Sequence, residues 1–330
     1  MQQLRKVQEM GGATLLVSLP KEWVKASSLK KGNLVSIENS GDGGLLIYPA
    51  PESQDSRSER EIDIEYPSRF GNPGLSNEII GAYLLGYDLI QVKGKHRISS
   101  KDRESIVGAI KGLIGLEVVE ENAQNITSQF LVDNKVVEPS KIFRRISSIV
   151  RAMISDSVKH LSSGEAKFES VAQRDDEVDR LHFLLVRLIR SAIRDPRAAG
   201  KFGLSTIDCL DYRVAASSLE TAGDYAVELS NAIAKLDRVE SKVRIHLSKI
   251  NESLDLIQDG SARSFIGKDY TIARSVLGYC DDLDKMLADF RASNQNQMSF
   301  AGLLHLADIF ERISRCQRDI ADLVAPMQPA

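Results

Sequence analysis

The sequence predicts a multidomain chain with a small β-rich N-terminal unit, a compact α/β middle unit and an all-α C-terminal half. Three observations support this division. Residues 1–50 break into short strand-type runs separated by Gly-rich turn signals. Residues 61–137 alternate strand-type and helix-type patterns, as an α/β unit does. From about residue 140 onward, apolar residues recur at helical spacing in six segments of similar length. A chain of 330 residues is also too long for a single core.

In the N-terminal unit, "KVQEMGG" and "ATLLVSL" are expected strands joined through Gly11-Gly12. Pro20 opens a short helix in "PKEWVKASSL", its ring presetting the helical φ. "NLVSIENS" and "GLLIYPA" flank "GDGG" as a hairpin. Trp23 is expected to anchor the short helix in a core rather than to stack on bases. Fifty residues without staples bury too little apolar surface to stand alone, and the strands would leave open edges. Interleaving with a second copy solves both problems, so a homodimer is expected. Residues 51–60, charged and Pro/Ser-rich, read as a linker.

In residues 61–137, "EIDIEY", "DLIQVKG" and "LEVVEE" are strands, with "LSNEIIGAYLLG" and "SSKDRESIVGAIKGLIG" as helices between them. Ser99 and Asp102 have capping-box spacing. Gly81, Gly86 and Gly94 do not form a phosphate-loop spacing, and the unit shows no catalytic signature.

The helical segments are 140–163, 168–194, 205–235, 239–259, 269–293 and 299–325. Breaks fall at "SSGEAK", "RDPRAAGKFG", around Asp237, "DGSARSFIGKD" and "SNQNQ". Six such helices suggest up-down bundles, one over 140–236 and a second over 237–325. In "RDDEVDRLHFLLVRLI", Val178, Leu181, Leu185, Leu188 and Ile189 form the core stripe. Asp175 lies at its edge and Asp179 beyond it, so the pair is expected to look outward. In "SSLETAGDYAVELSNAI", Glu220 and Asp224 point nearly opposite Leu219, Ala222, Ala226, Leu229 and Ile233. Two acid pairs at i, i+4 on adjacent helices supply four oxygen ligands for a hard cation. Spacing leaves a second reading open: solvated acidic faces, with acids near residue 175 favouring a helix N-terminus. His182 follows Asp179 in D-x-x-H order. A ferritin-like di-iron centre needs two Glu-x-x-His helices and two more Glu, so His182 is expected to be a packed or surface residue.

Apolar content of 42% and charged content of 27% fit a globular protein. The net charge of −3 gives no global sign of nucleic-acid binding, so any basic face must be local. Three scattered cysteines without C-x-x-C point to a reducing cytoplasm and away from thiolate zinc. No apolar run is long enough to span a membrane. No nucleophile–base pair or phosphate loop accompanies the carboxylates, so a phosphohydrolase is disfavoured and no enzymatic activity is expected.

The two acidic helix motifs resemble those of the PhoU family, over roughly residues 140–325. The resemblance implies two three-helix bundles in tandem and regulation of phosphate uptake through a phosphate ABC transporter or its regulators. It also implies that Asp175, Asp179, Glu220 and Asp224 bind a metal such as Fe, Zn, Mn or Mg. The second half departs from the pattern. Cys280 stands where Asp175 does and Asp284 where Asp179 does, while Glu311 matches Glu220 and Arg315 replaces Asp224. One metal site is therefore expected, with Asp281, Asp282, Asp284 and Glu311 a plain acidic face.

Residues 3–49, in the order strand–strand–"LPKEW"–"LKKGN"–hairpin–"LLIYP", resemble the swapped-hairpin domain of the SpoVT/AbrB family. That resemblance implies a dimer that binds promoter DNA, with Arg5, Lys6 and Lys21 as phosphate or groove contacts. The unit's six cations face four carboxylates, a small excess, and non-specific affinity scales with phosphates neutralised. A module that only dimerises, leaving a protein–protein regulator of the transporter, is the alternative.

Overall fold

The structure, a computed structural model, describes residues 4–12, 14–39, 43–49, 59–132, 137–163, 168–194, 200, 202–236, 239–295 and 300–324. The chain divides into two units, Met1–Ser58 and Glu59–Ala330.

In the first unit, β1 (Gln8–Met10) and β2 (Thr14–Leu16) form an antiparallel hairpin with Glu9 opposite Leu15. Gly11 and Gly12 take φ of 68° and 84° at its turn, a conformation that glycine adopts without a Cβ clash. Pro20 is the N-cap of α1 (Lys21–Ala26), not its first helical residue, because its ψ of 130° is extended. β3 (Val35–Asn39) pairs antiparallel with β4 (Leu45–Pro49), placing Ile37 opposite Ile47. Residues 40–42 of the expected turn and 51–58 of the expected linker lie outside the described residues. None of the described residues of this unit is buried. Leu15, Leu34, Ile37 and Leu45 are all largely exposed. Trp23 is only half-buried and is not the core anchor expected of it, since a single copy has no core to receive it.

The second unit opens with β5 (Glu61–Tyr66), α2 (Gly71–Leu84), β6 (Leu89–Gly94), α3 (Ser100–Lys111), β7 (Leu116–Glu121) and β8 (Asn125–Phe130). The sheet order is β5-β6-β8-β7, with β5 and β6 parallel and the remaining pairs antiparallel. β8 is an addition to the sequence reading. Its inward positions are Ile126, Ser128 and Phe130, and the polar serine hides the alternation. Buried Ser128 donates its hydroxyl proton to the Ile90 carbonyl at 3.2 Å. Ser99 caps α3 by accepting from the Asp102 N–H at 3.1 Å, as the capping-box spacing predicts.

α4 (Pro139–Ser163), α5 (Phe168–Arg194) and α6 (Thr206–Ala234) pack as one three-helix group. α7 (Ser241–Gly267), α8 (Tyr270–Ser293) and α9 (Phe300–Asp322) form the second. The two groups join where α4 meets α7 and α6 meets α9. α7 runs through the expected break after residue 259. A Cβ on Gly260 would come within 2.6 Å of Val276 Cγ2, so this glycine permits close approach of α8 and is not a turn residue. Ser261 and Ser264, fully buried, donate to Gln317 Oε1 at 2.6 Å and to the Ser261 carbonyl at 3.0 Å. The small polar residues that suggested a loop satisfy their hydroxyls inside the helix packing.

The α/β part and the bundle meet along α2 and α5. Arg187 of α5 is 1% exposed. Its Nη1 donates to the Tyr83 and Tyr87 carbonyls, each at 2.8 Å, and its Nη2 to Asp88 Oδ1 at 2.9 Å. The guanidinium lies 3.9 Å from the centre of the Phe130 ring. The Leu85 carbonyl accepts from Arg194 at 2.7 Å and from Arg60 at 2.5 Å. Three guanidiniums thus satisfy carbonyls around the C-terminal end of α2, where the helix dipole favours positive charge.

Candidate metal seam

α5 carries Asp175 and Asp179 one turn apart, α6 carries Glu220 and Asp224 one turn apart, and the two helices pack along each other. Gly223 sets their approach. A Cβ there would lie 3.2 Å from Asp175 Oδ1 and 3.3 Å from Val178 Cγ1, so Asp175 sits against the α6 backbone. Asp175, Asp179 and Glu220 are half-buried, while Asp224 is exposed. Asp175 does not look outward as expected: its Oδ1 is fully buried and has no hydrogen-bond partner among the described residues. A helical wheel sees one helix, and the seam belongs to two.

Burial raises the proton affinity of all four carboxylates, and neighbouring carboxylates add to it at Asp175, Asp179 and Glu220. Burial, then Asp179, Asp224, Asp176 and Glu220, push Asp175 up to about 6. Burial, with Asp224 and Asp176, raises Asp179. Burial, with Asp224 and Asp179, raises Glu220, and burial raises Asp224. Thr221 donates to Glu220 Oε2 at 3.4 Å. None of the four pairs with a Lys, Arg or His among the described residues. The side chains also do not stand as a closed cage: among the described residues, no three His, Cys, Asp or Glu groups converge on one ion position. What the seam offers is uncompensated charge, hard oxygen donors and one orphaned buried oxygen, the donor chemistry that suits a hard cation.

Glu177 and His182, beside the quartet, are otherwise engaged. Glu177 accepts from Arg145 Nε at 3.0 Å. His182 is buried, and since a carbonyl only accepts, its Nδ1 donates to the Ala216 carbonyl at 3.1 Å. Burial lowers its pKa, and it is a packed core histidine.

The corresponding face of the second group is neutralised. Arg318 reaches Asp281 at 3.0 Å and Asp284 at 3.2 Å. Lys285 pairs with Asp282 at 2.9 Å. Glu311 receives Arg291 at 2.6 Å and Arg315 at 3.3 Å. Cys280 is fully buried. The face expected to be plainly acidic is an ion-pair network.

Arg5 and Lys6 stand exposed ahead of β1, and Lys21 stands exposed as the first residue of α1. The residue that sequence reasoning passed over is Arg187, which holds the acid-bearing helix against the α/β part. Its signal was present: a lone cation inside the apolar run "FLLVRLI".

Fold and site together define a protein of two units: an α/β sheet joined to a helical bundle with an acidic seam, and a small β unit in which no described residue is buried. The PhoU domain model matches residues 143–233, and that of "Antidote-toxin recognition MazE, bacterial antitoxin" matches residues 10–55. The chain carries a PhoU domain in its C-terminal region and a MazE/AbrB-like domain at its N-terminus. All four seam acids fall inside the PhoU match, and the ion-paired face of α8 and α9 falls outside it. The solved structure of PhoU from Pseudomonas aeruginosa is similar at 18% identity and a TM-score of 0.48, covering 56% of this chain and 93% of that one. No match was found among curated proteins.

Proposed function

We propose that this protein is a non-enzymatic regulator of phosphate homeostasis that acts as a cytoplasmic homodimer. Its N-terminal domain binds promoter DNA through Arg5, Lys6 and Lys21. Its bundle answers phosphate status by contact with components of a phosphate ABC transporter or their regulators. Asp175, Asp179, Glu220 and Asp224 hold Fe, Zn, Mn or Mg, which supplies the positive charge that the seam lacks. The observation that carries this reading is the uncompensated quartet inside the PhoU match, on one chain with a MazE-type unit. Dimerisation is supported by the exposed Leu15, Leu34, Ile37 and Leu45, which a second copy would cover. Among the described residues, no helix is long and apolar enough to cross a membrane.

The test is fluorescence anisotropy of purified protein on DNA from upstream of its own gene, across a salt series. Affinity should fall with salt, and Arg5→Gln with Lys6→Gln should reduce the log–log slope by about two per chain. Absence of salt-dependent binding would sink the transcriptional half and leave a dimerising protein–protein regulator.

A further inference from the structure

A groove of about 650 Å³, open to solvent, runs between α6 and α9 and is lined by three guanidiniums. α6 contributes Arg213 and α9 contributes Arg312 and Arg315. Of the α6 hydroxyls in its lining, Ser218 donates to the Val214 carbonyl and Thr221 to Glu220, each at 3.4 Å, which leaves that of Ser217, and Asp319 is the single carboxylate among the lining residues. The volume lies in the range of small-molecule sites.

Neighbouring carboxylates outside the lining, and Tyr225 within it, brace the two α9 arginines. Arg312 Nη2 donates to Glu228 at 2.6 Å, with its guanidinium 4.5 Å from the Tyr225 ring centre. Arg315 Nη2 donates to Glu311 at 3.3 Å. Each such bond uses one of a guanidinium's five N–H donors, leaving the others for a ligand. Arg213 has no hydrogen-bond or ion-pair partner among the described residues. Glu228, Glu311 and Asp319 balance the three guanidiniums in charge, so what the groove offers an anion is the set of remaining N–H donors, with Arg213 unpaired among the described residues. Guanidinium forks with the Ser217 hydroxyl suit the several acceptor oxygens of a phosphoryl group.

We propose that the α6–α9 groove binds a phosphate dianion, either inorganic phosphate or the phosphoryl end of a small monoester. None of the four seam acids lines the groove, although Thr221 of its lining donates to Glu220 and Arg213 acts on Glu220 by charge.

The test is calorimetric titration of the full chain, stripped over a chelating resin and held at low salt. Inorganic phosphate and glycerol phosphate are the two probes. At least one should bind saturably at one site per chain, and which one binds separates the free from the esterified source. Affinity should fall about tenfold or more in Arg213→Gln with Arg315→Gln. Ser217→Asp, which sets a carboxylate into the groove, should abolish binding. Asp175→Asn with Asp179→Asn should leave affinity within about twofold, the spread expected of independent sites. Circular dichroism should report folded protein for every variant compared. No saturable binding at millimolar probe, equal affinity in both groove variants, or loss only in the acid variant would each overturn the assignment.

Discussion

The two halves of the bundle present acids at similar places and treat them oppositely. On α5 and α6, four carboxylates share a seam with no basic partner among the described residues, and each is pushed toward protonation. On α8 and α9, Asp281, Asp282, Asp284 and Glu311 all have a basic partner. An uncompensated cluster costs the fold stability, whereas a solvated ion-pair network contributes little either way. A seam that retains such a cost is suited to a ligand that removes it. The arginines facing α8 and α9 make a second cation unnecessary there, which explains in charge terms why the second copy departs from the first.

The sharpest way to break this contrast is to release the helix that carries the first seam. Arg187→Met removes three hydrogen bonds and leaves buried carbonyls and Asp88 short of a partner. It should destabilise the second unit by about 3 kcal/mol in urea unfolding, in line with breaking a buried pair. Arg318→Gln, which removes partly exposed pairs, should cost under about 1 kcal/mol. Similar losses for the two would mean that Arg187 does not anchor α5.

Cation binding is the next largest expected effect. Manganese or zinc at about a hundred times its dissociation constant should stabilise the chain by about 2.7 kcal/mol. The gain should vanish in Glu220→Ala with Asp224→Ala and persist in Asp281→Asn with Asp284→Asn. Elemental analysis finding no metal, together with no thermal shift, would remove the seam from the functional reading.

The smallest effect is on pH dependence. In metal-free protein, Asp175 titrates at about 6 against an ordinary 3.8, so the folded chain keeps a proton that the unfolded chain has released. Its stabilising contribution is full below about 4 and is lost as pH rises through about 6. Asp175→Asn should flatten that fall by on the order of 1 kcal/mol, discounted for partial solvent screening. Parallel melting curves for wild type and variant across this range would refute the coupling.

Most helix bounds were legible because amphipathic periodicity persists over twenty or more residues, as in Phe168–Arg194. The exceptions have local causes. Gly260, Ser261 and Ser264 read as a break because their composition is that of a loop, yet in place they serve close packing. β8 was hidden by a buried serine whose hydroxyl finds a carbonyl on the neighbouring strand. The seam residues were readable as two i, i+4 pairs, but the pairing of those pairs depended on Gly223.

By itself the sequence determined the order of parts, the six long helices, the acid pairs and the presence of Arg315 where the first half has Asp224. These follow from local spacing and residue type, which act along the chain. Only the tertiary structure decided that Asp175 has a buried, orphaned oxygen, that Arg318 and Arg291 quench the second acidic face, and that Arg213 shares a groove with Arg312 and Arg315. Those outcomes rest on which side chains meet across helix seams. Coulomb energy and desolvation depend on distances between elements, and no periodicity along one element contains them.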